Sequence, residues 1–289
     1  MMRALAEFVM RGRRQALLVA IVASVVPMFF WVGAAAIGLV TLRRGAIEGG
    51  LVALWAMLPC MVLAWAGEII PAAAVAGIWV AAMVLRGTQS WPLTLAAASA
   101  MGLLLGMGLL WLGNDYLAMT QKVVETFFSE VAKQADPAAA AQLKVPGVPQ
   151  IAGIFAVMHA LTMALCMVIA RWWQATLYNP GGFREEFHAI RFRSVPGLAL
   201  LGAGASLHLQ APETQVWAWL FLMPLLVAGT SLLHALMSKR RAGGMLGFYY
   251  AALLLVSPAK YMVVGLAAVD ALADLRRLLK VASPPSGKD

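Results

Sequence analysis

Charge is what this chain has least of. Asp, Glu, Lys and Arg make up 12% of its 289 residues, against roughly 25% in a soluble globular domain. Cysteine is almost missing. Cys60 and Cys166 both sit in apolar stretches, without metal spacing or a disulfide framework, and read as small buried hydrophobes. No G-x-x-x-x-G-K-[ST] loop is present, so the chain does not hold ATP in that way. There is no His-Glu-x-x-His, and Gly204-Ala205-Ser206-Leu207-His208 fails the pattern of a nucleophile elbow. The histidines at 159, 188, 208 and 234 show no ligand spacing. These absences predict a protein that is not an enzyme and uses neither metal nor cofactor.

What is present is apolar. Hydrophobic residues reach 62%, gathered in blocks near 15–42, 46–66, 69–86, 92–113, 150–175, 195–209, 215–237 and 244–272. A helix needs about 20 apolar residues to cross the hydrocarbon core. Only helices and closed barrels satisfy their backbone polar groups there, and the blocks lack the alternation of barrel strands. The expected fold is therefore a single all-α polytopic transmembrane bundle spanning residues 1–289.

The net charge of +9 does not point to nucleic acid. The cations sit at the ends of apolar blocks: Arg11, Arg13 and Arg14, Arg43 and Arg44, Lys239 to Arg241, Arg276 and Arg277. That is the positive-inside pattern of cytoplasmic loops, and such clusters attract anionic headgroups of the bilayer. A bacterial inner membrane is the expected location. The first apolar stretch ends in no small-residue cleavage pattern, so it reads as a membrane segment after a basic lead-in at 1–14.

Sidedness depends on blocks 15–42 and 244–272. As single crossings they put Arg43 and Arg44, or Arg276, Arg277 and Lys280, on the outer side. Each block holds a mid-block proline, Pro27 or Pro258, which removes a backbone donor and disrupts the preceding turn. If both blocks are hairpins, the basic loops share one side and both termini are cytoplasmic. This predicts about six full crossings flanked by two proline-broken hairpins. Two single kinked helices are the alternative.

Two connecting segments have character. In the outer, periplasmic segment 114–149, Leu117, Val124, Phe127, Phe128 and Val131 recur at helical spacing, predicting an amphipathic helix over 116–134. It is either an interfacial connector or a lid. In the cytoplasmic loop 176–194, Phe183, Phe187 and Ile190 share a face opposite Arg184, His188 and Arg191. That loop is either a second interfacial helix or a docking surface for a partner.

Polar residues at membrane depth are costly, which makes them pointers to a site. In this topology Glu68, Asn114, Asp115, His159, His208 and Lys260 fall in the outer half, where they either bind a small polar solute together or are individually solvated and hydrogen-bonded. Small residues at four-residue spacing, Ala16, Ala20 and Ser24 in the first block and Ala98, Gly102 and Gly106 in the fourth, make faces where helices approach closely.

The Pro27 break, the run Ile37-Gly38-Leu39-Val40-Thr41-Leu42-Arg43-Arg44-Gly45 and the closing Gly265 to Arg277 stretch resemble the YybS-like family of bacterial polytopic membrane proteins. The Asn179–Phe187 stretch resembles its proteobacterial members. That family is distantly similar to the substrate-binding S-components of energy-coupling-factor transporters. The resemblance implies an outward ligand pocket and a first helix whose small residues, here Ala16, Ala20 and Ser24, meet a membrane coupling subunit. This chain is longer than an S-component and carries no transferable vitamin-contact motif. The leading expectation is a solute-binding or transport subunit. The alternative is a non-enzymatic scaffold or assembly factor for envelope-associated machinery, with an envelope protein as partner.

Overall fold

A computed structural model describes residues 2–26, 28–240 and 242–277. Among the described residues there are helices and turns and no strand. The first half comprises α1 (Met2–Arg11), α2 (Arg13–Val25), α3 (Phe30–Arg44), α4 (Ala46–Trp65), α5 (Ile70–Thr88), α6 (Trp91–Leu112), α7 (Asn114–Gln134) and the short α8 (Pro137–Ala140). The second half comprises α9 (Val148–Tyr178), α10 (Gly182–His188), α11 (Ser194–Gln210), α12 (Trp219–Lys239), α13 (Met245–Leu255) and α14 (Ser257–Ala273). Five of these, α4, α5, α6, α9 and α12, are long and apolar enough to cross a membrane, and the bent pair α13–α14 makes a sixth if it counts as one span. The chain is a polytopic helical membrane protein.

α11, expected as a full crossing, has 17 residues. At 1.5 Å per residue it reaches about 26 Å, a little less than a core of about 30 Å. α9 is the opposite case. Its 31 residues extend to about 46 Å, so it stands as a mast through the bundle and projects beyond the core. α3, α5 and α6 pack on it, as do the shorter contacts of α1, α7, α10 and α12.

The core is built largely from alanine and glycine. In lipid, helices associate through close packing, because apolar side chains gain nothing by leaving one hydrocarbon for another. α6 meets α9 through Gly102 and Gly106. A Cβ at Gly102 would lie 2.3 Å from the Ala156 carbonyl oxygen, and one at Gly106 2.8 Å from Ala156 Cβ. α3 meets α4 through Gly49, where a Cβ would lie 1.9 Å from Thr41 Oγ1. The turn between them is made by Gly45 in the left-handed region, at φ +113°.

The first hydrophobic block returns on itself. α2 and α3 pack together, and Arg44 at the end of α3 donates to the Met10 carbonyl at 2.7 Å. Arg13 at the start of α2 donates to Glu48 at 3.1 Å, in the first turn of α4. Pro27 lies outside the described residues. The reversal beside it includes Met28 at φ +68°, whose carbonyl accepts from Trp31 Nε1 at 2.8 Å.

The last block is bent by 114° between α13 and α14. The break falls at Val256, in extended conformation, and Pro258 occupies the first turn of the second helix, where a missing N–H costs nothing. Lys260 sits by Trp219 at the start of α12, whereas Arg276 sits by Ser231, past the middle of that helix. The pair thus comes back toward the end of the bundle from which it left.

That end is basic. Arg86 donates to the Leu42 carbonyl at 2.6 Å, the Arg43 guanidinium lies 4.0 Å over the Tyr178 ring, and Arg184 bonds Ser238. Arg241 and Lys280 lie outside the described residues. The opposite end carries Glu68, the 113–147 segment, Glu213 and Lys260. α7 is helical as expected, but its apolar residues divide. Leu117 is buried, whereas Met119, Val123, Phe127 and Val131 form an exposed stripe.

Candidate functional site

The expected solute-site residues separate into three places. His208 and Lys260 come together around two aromatic rings. The His208 ring lies 5.5 Å from that of Tyr261, and Lys260 Nζ lies 5.1 Å over the Trp219 ring and 5.7 Å over that of Tyr261. A cation over an aromatic face is attracted by its quadrupole. His208 Nδ1 is buried without a hydrogen-bond partner among the described residues. Glu68, Asn114 and Asp115 are exposed. Glu68 faces Tyr116, whose phenol is pushed up from its ordinary pKa by burial and, to a lesser extent, by that carboxylate. His159 is buried in α9 against α5, where a Cβ at Gly77 would meet its Nε2 at 2.8 Å. No hydrogen bond or ring contact among the described residues joins the three places.

Ala16, Ala20 and Ser24, expected to face a partner helix, lie on a face that α3 meets within the chain. All three are buried within the chain. A Cβ at Gly33 would lie 2.5 Å from Ser24 Oγ and 2.9 Å from the Ala20 carbonyl oxygen, so α3 already occupies that face. The four-residue spacing marks a close approach, and the hairpin itself supplies the approaching helix.

The densest polar construction lies at the basic end, around residues 183–193. Phe183 and Phe187 turn inward on α10, Ile190 is buried just beyond it, and Arg184 remains exposed. Glu186 is held from two sides: Arg171 of α9 pairs with it at 2.6 Å, and Trp91 of α6 donates to it at 2.6 Å. Asp270, in the last turn of α14, is 2% exposed. Its Oδ2 accepts from Arg276 Nε at 2.9 Å, while Oδ1 has no partner among the described residues.

Arg276 spreads its remaining donors over the chain that follows α10. It bonds the His188 carbonyl, donates to that of Ile190 at 2.6 Å, and reaches the Ala228 carbonyl and the Ser231 hydroxyl of α12, each at 3.3 Å. Ser231 in turn donates to the Phe187 carbonyl at 2.5 Å. Arg191 completes the fastening. It donates to the Asp270 carbonyl at 2.9 Å and pairs with Asp274 at 3.3 Å. Carbonyls left without helical partners between α10 and α11 are thus satisfied by guanidinium groups, as buried backbone acceptors must be.

Three cavities border this segment. One of 720 Å³ lies between the first turns of α6 and α11. One of 390 Å³ is bounded by α9, α10, α12 and α13. There His234 Nε2 and the Tyr250 hydroxyl are 2.7 Å apart, beside Arg184 and His188. A third, of 400 Å³, is lined by Glu185, His188 and Asp274 together with Arg276 and Arg277. Burial, and then the positive neighbours Arg184, His234 and Arg276, hold the His188 imidazole below its usual pKa. These cavities are lined by none of Glu68, Asn114, Asp115, His159, His208 or Lys260. Among the described residues, no group of His, Cys, Asp and Glu is placed to hold a metal ion.

The sequence carried half of this signal. Asp270, Asp274, Arg276 and Arg277 stand visibly at a hydrophobic block's end. Their partners, Arg191 and Ser231, lie 79 and 45 positions earlier, a separation that periodicity cannot bridge. Comparison with protein-family models, curated proteins and solved structures gives no match to this chain.

Proposed function

We propose that the chain is a non-enzymatic membrane scaffold that docks a protein of envelope-associated machinery on the surface formed by residues 183–193. One observation carries the reading. The segment is held by ion pairs and hydrogen bonds from α6, α9, α12 and α14, yet Arg184, Glu185 and Arg193 remain exposed on it. A simple connector needs no such fastening. Buried ion pairs add little net stability, and their attested use is to specify one geometry over others. The exposed groups at this end are mostly cationic, which suits an acidic partner surface.

The test is site-specific photocrosslinking in cells. A photoreactive residue at Glu185 is expected to give one discrete protein adduct. The adduct is expected to weaken when Arg276→Met loosens the segment, and to survive Lys260→Gln and His159→Ala. An adduct pattern indifferent to Arg276→Met, or none at Glu185, defeats the docking reading.

The pairing of His208 and Lys260 around Tyr261 and Trp219 favours a second reading, capture of a small anionic solute at the opposite end. This is the reading to which the resemblance to S-components belongs. Its signature is thermal stabilisation by a member of a metabolite panel, lost in Lys260→Gln.

A further inference from the structure

The 720 Å³ cleft at the basic end has an arrangement of its own. α6 and α11 do not pack on each other, although both pack on α12. The gap between their first turns is bordered at the basic end by the segment running from Ala189 to Arg193. Its walls are apolar and uncovered: Leu93 and Ala96 on α6, and Pro196 and Ala199 on α11, are all exposed. The volume falls within the range of about 300–1,000 Å³ typical of small-molecule sites.

The charges bordering the cleft are unequal. Glu186 is paired with Arg171, and Arg191 shares Asp270 and Asp274 with Arg276 and Arg277. Arg193 is exposed, and its guanidinium makes no hydrogen bond or ion pair among the described residues. Among the described residues, Arg193 is therefore the one cation lining the cleft that has no ion partner, and it stands at the mouth. Polarity then falls with depth. Gln89 and Ser90 lie at the level of the mouth, and Ala96 lies about 9 Å further along α6. A cation above and hydrocarbon below is the polarity order of a phospholipid seen from its binding site. α6 is itself long and apolar enough to cross the bilayer, so the depth of the cleft faces acyl chains.

We propose that this cleft binds one phospholipid with an anionic headgroup, its phosphate on Arg193 and the upper part of its acyl chains between α6 and α11. A zwitterionic headgroup carries its own ammonium and gains less from the arginine. The inference does not rest on partner docking at Glu185.

The test is native mass spectrometry of the purified full chain with phosphatidylglycerol or phosphatidylcholine added in equal amount. One phosphatidylglycerol is expected to remain bound per chain. Arg193→Gln is expected to lower its retention about fivefold, the effect of one cation at a membrane surface, and to leave phosphatidylcholine unchanged. Arg240→Gln removes an exposed cation at the same end but outside the cleft, and is expected to change nothing. Ala96→Phe, which fills the cleft, is expected to abolish retention of both lipids. Equal retention of the two lipids by the unaltered chain overturns the proposal. So does an equal loss in Arg240→Gln, which would mean diffuse surface charge. A photoreactive residue at position 96 that captures a protein in place of a lipid overturns it as well.

Discussion

Asp270 carries more of this structure than its single charge suggests. It is almost wholly buried, yet among the described residues Arg276 is its one close ion partner, with Arg191 at 4.0 Å. Removing one member of a buried pair leaves an uncompensated charge, at a cost of about 3–5 kcal/mol. Asp270→Ala is expected near the low end of that range, because Arg276 keeps its carbonyl acceptors at His188, Ile190 and Ala228. Adding Arg276→Met removes the orphaned guanidinium and is expected to recover more than half of the loss. Chemical unfolding in detergent measures both variants. A single substitution with no effect would mean that the network does not fasten the segment. Half of the pair's logic was readable in sequence, since Asp270 and Arg276 stand six positions apart at a block's end. The other half was not, since burial decides whether such a pair is a solvated surface contact or a clamp.

Among elements, the contact between α6 and α9 is the most extensive. It depends on glycines that let backbone meet backbone. Gly102→Ala is expected to destabilise by about 1–3 kcal/mol, the usual range for overpacking, because the new methyl meets the Ala156 carbonyl. Gly108 lies on the same helix, and a Cβ there would meet nothing within 4 Å. Gly108→Ala is therefore expected to be neutral or stabilising, since alanine is the better helix former. Thermal unfolding of the two variants side by side checks the contrast. The small-residue pattern of Ala98, Gly102 and Gly106 was visible in sequence, as was that of Ala16, Ala20 and Ser24. Neither pattern named its partner. The first met α9 and the second α3, because such spacing encodes how closely a helix can be approached and carries no address.

For the molecule as a whole, the decisive property is that the arginines among its described residues share one end. Single cysteines replacing Arg86, Arg193 and Arg277, all exposed, are expected to react with an impermeant thiol reagent from one side of the membrane only. Cysteines replacing Asp115 and Glu213 are expected to react only from the other. The positive-inside rule predicts that the first side is the cytoplasm. The native thiols, Cys60 and Cys166, are buried and give a low background. Labelling of position 277 together with position 115 would show that the bent C-terminal pair crosses the bilayer, and would remove the common basic end.

The sequence alone determined that this is a helical membrane protein and where its apolar blocks begin and end to within a few residues, and it offered the reversal of the first and last blocks as one of two readings. Those properties follow from run length, proline and the placement of arginine, which the bilayer reads along the chain one segment at a time. Only the tertiary structure decided which helix faces meet, that α3 covers the small residues of α2, and that Arg191 and Ser231 surround Arg276 and Asp270. Hydrocarbon solvates every apolar face alike, so hydropathy cannot order helices within the membrane. Shape complementarity and the pairing of the few buried polar groups do that, and both exist only once distant segments are side by side.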